Sequence, residues 1–260
     1  MYTTSHLWDT IMESGKARYE MSLVIGETGR LILKSGDVLT FGGVSILVGQ
    51  STADAGYKDA RIVSMNTSLT MFGSNHPSVG SCLAGQLSVT MLRPLGDIPR
   101  MALVRPYVRV TNGTQTSEWI PQGIFYIDTR EYSQNDDGIH LMTLHCYDAM
   151  LKTEAIYPSV SHSWPMSDAD VVNEIAATIG VRVDERTWDI ITEGYQISAP
   201  LGYTMREVLG HIGAMYAGNW VMNYDGELLL IALNGIPPET NFLVNEGGFV
   251  ITFGGDKILV

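Results

Sequence analysis

The spacing of hydrophobic and polar positions changes along the chain, and each change predicts a different element. Leu7, Trp8, Ile11 and Met12 recur on one helical stripe, and Ser14-Gly15 supplies a stop, so a short N-terminal helix is expected. From residue 19 the period becomes two. Tyr19, Met21, Leu23 and Ile25 alternate with Glu20, Ser22 and Val24, as in a strand with two faces. Residues 31–33, 38–48, 61–72 and 86–92 read as further extended runs, the second bent at Gly42-Gly43. Residues 106–111, then Asn112-Gly113, then a polar run to Trp119 read as a hairpin. Asn-Gly would supply the two positive φ angles of a type I′ turn. Residues 124–130 and 139–147 form another pair across a loop at 134–138, which gives a mostly antiparallel β-domain of about eight strands.

Beyond residue 150 the period lengthens. Ser167-Asp-Ala-Asp170 has the form of a capping box, Val171, Val172, Ile175, Ala176 and Ile179 share one helical face, and Gly180 is the stop. A short strand is expected at 181–183. Thr204-Met-Arg-Glu207 is a second capping box ahead of Met205, Val208, Leu209, Ile212 and Met215 or Tyr216, with Gly218 closing the helix. Residues 219–224 and 227–233 form a hairpin across Asp225-Gly226.

One segment occurs twice. Residues 36–48 read Gly-Asp-Val-Leu-Thr-Phe-Gly-Gly-Val-Ser-Ile-Leu-Val, and residues 248–260 read Gly-Phe-Val-Ile-Thr-Phe-Gly-Gly-Asp-Lys-Ile-Leu-Val. Nine of the thirteen positions are identical at an offset of 212 residues. The block is a strand, a Gly-Gly kink or bulge, and a second strand. It reads as a duplicated β-module, against the alternative of two independent hairpins with similar turns. The organisation expected is therefore α+β. An N-terminal helix and antiparallel β-barrel-like domain fill 1–150, and a small α/β domain fills 151–235. The start of a second β-module, repeating 36–48, occupies 236–260. On this reading the chain ends where another β-domain would begin, and its terminal strand is suited to adding to a sheet edge.

Charge sharpens the boundary. The chain of 260 residues is net −12 with 17% charged residues, below the usual ~25%. Residues 1–150 hold 11 basic and 14 acidic side chains, whereas 151–260 hold 5 and 14. A basic duplex-tracking protein is excluded, because phosphate neutralisation needs excess Lys and Arg. With 45% hydrophobic residues the chain can build a core, so disorder is excluded as well. The polar start at Met1 has neither the basic nor the apolar region of a secretory signal. The fairly apolar run 208–224 contains His211, Asn219 and Asn223 and is too short and polar to span a bilayer. No membrane insertion is expected. The Asn66 and Asn112 glycosylation patterns then read as chance, and no disulfide between Cys82 and Cys146 is expected.

Candidate chemistry is sparse. His140, His145, Cys146 and Asp148 are near one another in sequence, but in a strand His145 diverges from both His140 and Cys146, which argues against a metal. The stretch 73–82 contains Ser, His76 and Cys82 without Gly-x-Ser-x-Gly, and reads as a polar surface loop. Neither a Walker loop nor Gly-x-Gly-x-x-Gly occurs. The pairs Asp136-Asp137 and Asp184-Glu185 read as solvated turns rather than a glycosidase pair. Trp119, Trp164, Trp188 and Trp220 are scattered and read as packing residues. No catalytic, cofactor-binding or metal residue is assigned, and no cofactor is expected.

The order of elements carries a resemblance. The β-domain runs through Gly85-Gln-Leu-Ser-Val-Thr-Met91, Pro106-Tyr-Val-Arg-Val110 and Glu118-Trp-Ile-Pro-Gln-Gly-Ile-Phe-Tyr-Ile127 to His145-Cys-Tyr-Asp-Ala-Met-Leu151. The helix opening at Ser167 follows, then the one through Tyr203-Thr-Met-Arg-Glu-Val-Leu, then a hairpin ending Gly226-Glu-Leu-Leu-Leu-Ile231. Over residues 20–233 this resembles the tail hub (baseplate hub) proteins of bacteriophages and prophages, including the N-terminal part of tail-associated lysins. It is similar in plan to the spike-base proteins of contractile injection systems. Two loose motifs carry the likeness, Trp119 to Phe125 and Tyr147 to Met150, neither of them catalytic. The resemblance implies a non-enzymatic structural protein of the virion tail, made in the bacterial host cytoplasm. It implies a homotrimer with two barrel-like domains per chain, forming a pseudo-sixfold ring between tail tube and tip. Partners would be the tail tube, distal tail and tip or fibre proteins. DNA would pass the channel unbound, as an acidic lining favours. A complete second barrel and any C-terminal spike, peptidase or lysin domain are missing from the sequence. The alternatives are a tail-associated cell-wall hydrolase or peptidase, and a tail-tip module that binds host glycans.

Overall fold

The computed structural model describes residues 4–26, 57–58, 60–72, 76–94, 98–135, 137–158 and 163–233. It adds strand pieces at 29–30, 40–41, 44–45, 47–48, 252–253 and 256–257. Helix α1 (His6–Glu13) starts at Ser5, whose side chain accepts the Trp8 N–H, and buries Ile11. Strand β1 (Arg18–Ile25) follows, then the short pieces β2 (Gly29–Arg30), β3 (Thr40–Phe41), β4 (Val44–Ser45), β5 (Leu47–Val48) and β6 (Tyr57–Lys58). Longer strands come next: β7 (Ile62–Ser68), β8 (Gln86–Leu92), β9 (Leu103–Thr111), β10 (Ile120–Pro121), β11 (Phe125–Gln134) and β12 (His140–Tyr147). After a 3-10 turn, Ala149–Glu154, the remaining elements are β13 (Met166–Ser167), α2 (Asp168–Ile179), β14 (Gln196–Ile197), α3 (Met205–Met215), β15 (Gly218–Met222), β16 (Leu228–Ala232), β17 (Thr252–Phe253) and β18 (Asp256–Lys257).

The fold is α+β, and its main sheet is antiparallel throughout. Its order is β6-β1-β9-β11-β12-β8-β7, with β10 also paired to β9. Among the described residues it does not close by hydrogen bonds, but it is strongly curled. Its edge strands β6 and β7 are separated in the chain only by residues 59–61. Four peptide links reach at most about 15 Å, whereas seven flat strands would hold their edges about 29 Å apart. Arg61 secures the crossing. Its N–H donates to the Lys58 carbonyl at 2.7 Å, and its carbonyl accepts the Leu92 N–H at 2.8 Å.

Two apolar clusters fill the molecule. The first lies against the sheet and centres on Leu23, Val89, Met91, Val104, Ile127 and Leu144. The second lies under α2 and α3 and includes Val171, Ile175, Leu209, Ile212, Trp220 and Leu230. Leu103 and Tyr126 from the main sheet enter this second cluster, so the sheet supplies both. The β15–β16 hairpin is extended by the chain on each side. Trp220 donates its backbone N–H to Ser81, and Leu228 does so to Arg182.

Several local readings need correction. In β1 the alternation fails, because Ser22, Leu23 and Val24 are all buried between the curled sheet and its neighbours. Asn112-Gly113 turns the chain, but not as a type I′ turn. Only Gly113 has positive φ, and Asn112 Oδ1 accepts the N–H groups of Thr114 and Gln115 in a wider loop. Ser167 accepts the Asp170 N–H, but the two side chains bond each other directly, at 2.7 Å. At 181–183 a single bridge, Val183 to Leu228, stands in place of a strand. Gly218 does not stop α3. Ala217 takes the positive φ, and Gly218 opens β15, where a Cβ would meet the Ile231 carbonyl oxygen at 2.8 Å. The Thr204–Glu207 capping box is complete.

Most of the repeat, and the expected strand at 31–33, lie outside the described residues. The described pieces of the repeat pair in one register. Thr40 faces Ser45 and Phe41 faces Val44, while Thr252 faces Lys257 and Phe253 faces Asp256. In each copy the described pieces before and after the Gly-Gly pair run antiparallel to each other.

Candidate functional site

The Tyr147–Met150 motif occupies the junction between the two clusters. Asp148 ends β12 and is almost fully buried. Its Oδ2 accepts the Gly85 N–H at 2.7 Å, and its Oδ1 accepts the Met150 N–H at 2.9 Å, capping the 3-10 turn. One carboxyl thus fastens the start of β8, the end of β12 and the first turn of the helical unit. Burial pushes its pKa up to about 6, outweighing the two backbone donors and the attraction of Arg206, which lower it. Gly85 leaves room for this contact: a Cβ there would meet Leu69 and lie 2.8 Å from Asp148 Oδ2, so one of those side chains would have to move. Beside the carboxyl is a cavity of about 290 Å³, lined mainly by Leu69, Met71, Leu83, Val221, Leu229 and Ile231. Asp148 acts here as a hydrogen-bond acceptor, and Thr70, Arg186, Asn223 and Tyr224 are the other polar side chains of the lining.

The second motif fastens the other end of the sheet. Arg109 lies 4.2 Å from the Trp119 ring and donates Nε to Glu20 at 2.7 Å. Ser5 donates its N–H and its hydroxyl to Glu118, which holds the Glu118 pKa below the ordinary carboxylate value and ties α1 to the segment ahead of β10. Gly123 has φ +119°, and a Cβ there would press on the Phe125 ring. Both motifs are joints.

The other residues singled out by sequence do not converge. His140 is exposed at the start of β12, and His145 lies on the opposite face from Cys146, 3.5 Å from Glu131. Cys82 and Cys146 are free and buried, and burial pushes both thiols up to about 12. Cys82 pairs through its backbone with Trp220, while His76 is exposed. Asp136 lies outside the described residues, and Asp137 is exposed. Asp184 caps a short turn and takes three hydrogen bonds from Arg186, two from the guanidinium and one from the backbone N–H, and one from Asn223, which hold its pKa well below the usual range. Trp220 is fully buried and donates Nε1 to the Leu209 carbonyl at 2.6 Å. Trp164 packs edge-on against Tyr157. Among the described residues, no group of three His, Cys, Asp or Glu could hold a metal ion, and no helix is long and apolar enough to cross a membrane.

A surface feature escaped the sequence reading. Pro200, Leu201, Gly202 and Tyr203 form a turn closed by the Tyr203 N–H donating to the Pro200 carbonyl at 3.3 Å, with Gly202 at φ +81°. Leu201 is 69% exposed on it, beside Tyr203 at 46% and Ile156 at 66%. The Pro-x-Gly spacing marks such a turn in sequence. Ile156 joins it only through the pairing of 155–157 with 203–205, which is not local.

No family model matches the chain, and no curated protein does. Solved structures do. The 43 kDa tail protein of prophage MuSo2 from Shewanella oneidensis is similar at 13% identity and a TM-score of 0.48, covering 83% of this chain and 56% of its own. A tail protein from Neisseria meningitidis MC58 is similar at 14% identity and a TM-score of 0.45, with 85% and 53% covered. Prophage tail protein gp18 from Listeria monocytogenes EGD-e gives 6% and 0.41, with 86% and 55% covered. The chain spans about half the length of each.

Proposed function

We infer that this chain is a structural subunit of a phage or prophage tail, placed at the tip or baseplate hub and joining the tail tube to the tip. The observation that carries the reading is the repeated segment. Equivalent positions pair in the same register on both sides of the intervening α/β unit, Thr40 and Phe41 with Ser45 and Val44, Thr252 and Phe253 with Lys257 and Asp256. A β-module at 1–150, an α/β module at 151–235 and the opening of a second β-module at 236–260 fit a ring subunit that offers two related contacts per chain. The motifs at Trp119–Phe125 and Tyr147–Met150 act as joints, which suits a load-bearing rather than catalytic part. With net charge −12, a channel built from such subunits would pass DNA without gripping it. The reading assigns no cofactor and no catalytic residue. Its partners are further copies, as a homotrimer, together with tail-tube, distal-tail and tip proteins. Sedimentation of the full-length gene product, with and without the cognate tail-tube protein, tests it. A trimer that co-sediments with the tube protein is expected. A strict monomer with no affinity for any tail protein would overturn it.

A further inference from the structure

The surface around Leu201 calls for a partner, and its charges say of which kind. Leu201, Ile156 and Tyr203 are among the most exposed large apolar side chains described, and backbone pairing brings them together. Ile156 bridges Thr204, and the Tyr157 N–H donates to the Tyr203 carbonyl at 2.9 Å. Tyr203 makes an edge contact with the His211 ring, with centroids 5.5 Å apart. An aromatic beside exposed aliphatics is the composition of an interface anchor.

The rim is acidic. Glu154 and Glu207 stand beside Ile156 and Thr204, and the one cation between them, Arg206, is paired to Glu154 at 2.7 Å and donates to the Met150 carbonyl. Residues 151–233 hold four cations against eleven carboxylates. All four cations are engaged internally: Lys152 with the Ile179 carbonyl and the Tyr126 ring, Arg182 with Glu227, Arg186 with Asp184, and Arg206 with Glu154. Among the described residues of 151–233, each Lys and Arg already has a carboxylate, carbonyl or ring partner, and carboxylates outnumber them. A second copy of the chain, a nucleic acid or an anionic membrane would bring like charge to this face.

We propose that the Ile156–Leu201–Tyr203 patch is a docking surface for a basic protein segment that carries an apolar anchor. The segment seats its anchor over Leu201 and Ile156 and sets Lys or Arg towards Glu207 and the carboxylate excess of residues 151–233, eleven against four. The inference stands on this surface and does not depend on the tail reading.

The test titrates the full chain with a synthetic amphipathic helical peptide, leucines on one face and lysines on the other, and with a counterpart carrying glutamates for lysines. Binding is read by anisotropy and by hydrogen exchange. The lysine peptide is expected to bind saturably, to protect 155–157 and 200–204, and to weaken as salt rises. The glutamate peptide and the Ile156→Ser/Leu201→Ser double variant are each expected to be about tenfold weaker. Tyr19→Ser, which removes an exposed ring elsewhere, should leave binding unchanged. Equal affinity for wild type and double variant, protection confined to other segments, or no saturable binding overturns the proposal. Should the double variant melt below wild type, the protection map of the wild type decides.

Discussion

Asp148 carries more of this structure than its single charge suggests, because two segments hang from its two oxygens. Removing the side chain in Asp148→Ala leaves the Gly85 and Met150 N–H groups buried without acceptors. The expected loss is about 2–4 kcal/mol in urea unfolding. The carboxyl also makes stability depend on pH in an uncommon direction. Its folded pKa of about 6 lies above the ordinary 3.8, so the folded state holds the proton more tightly than the unfolded state. This contribution is fully present below about pH 4, declines as pH rises towards 6, and is absent above it. Asp184 works the other way. Its depressed pKa contributes stability at neutral pH that is lost as pH falls through the acid range. A pH series on wild type alone would therefore mix the two. The difference between wild type and Asp148→Asn isolates the first, and should shift by on the order of 2–3 kcal/mol in favour of wild type from pH 7 to pH 4. A difference flat with pH would show that the Asp148 carboxyl is not held up by its burial.

At the scale of elements, glycines decide how closely segments approach. Gly210 sits inside α3, where Ala would ordinarily be favoured by about 1 kcal/mol. A Cβ there would lie 2.8 Å from the Gly80 carbonyl oxygen, and one at Gly80 would lie 2.7 Å from the Gly210 oxygen. Both obstacles are backbone, so the clash outweighs the propensity. Gly210→Ala should lower stability by about 1–3 kcal/mol, while Ala214→Gly, which loosens the same crossing without a clash, should cost only about 1 kcal/mol. Calorimetric melting of both variants checks the order. Thr204→Ala, which removes a complete capping box, should cost about 1 kcal/mol. These elements also mark what could be read from sequence. The Thr204 box, the α2 stripe and the β8 run are legible because their signals are local: a cap, a period, an alternation. The stop at Ala217, the three-residue burial in β1 and the need for glycine at 210 are not. Each is set by a segment far away in the chain. The site residues divide the same way. Tyr147–Met150 stands out as a motif, whereas its partner Gly85, and the pairing of Ile156 with the Leu201 turn, appear only in three dimensions.

For the whole molecule the question is whether two apolar clusters melt as one. They share the main sheet, and Tyr126 is the side chain best placed to couple them. It belongs to β11, is largely buried in the cluster under the helices, and its ring lies 3.9 Å from the Lys152 ammonium. Its flanking residues Phe125 and Ile127 point into the other cluster. An unfolding event on one side must therefore disturb the strand that supports the other. The wild-type protein is expected to unfold in one transition, with far-UV circular dichroism and tryptophan fluorescence coincident. With Trp8 and Trp119, which lie on the sheet side, replaced by Phe, the remaining Trp164, Trp188 and Trp220 report the helical side in that measurement. Tyr126→Ala removes the ring and the cation contact and should cost about 3–5 kcal/mol. The loss should fall on the fluorescence transition first, so that the two curves separate by a resolvable interval of denaturant. Coincident curves at a lower midpoint would mean that coupling runs instead through the joint at Asp148 and Gly85. Combining Tyr126→Ala with Asp148→Asn would then separate them.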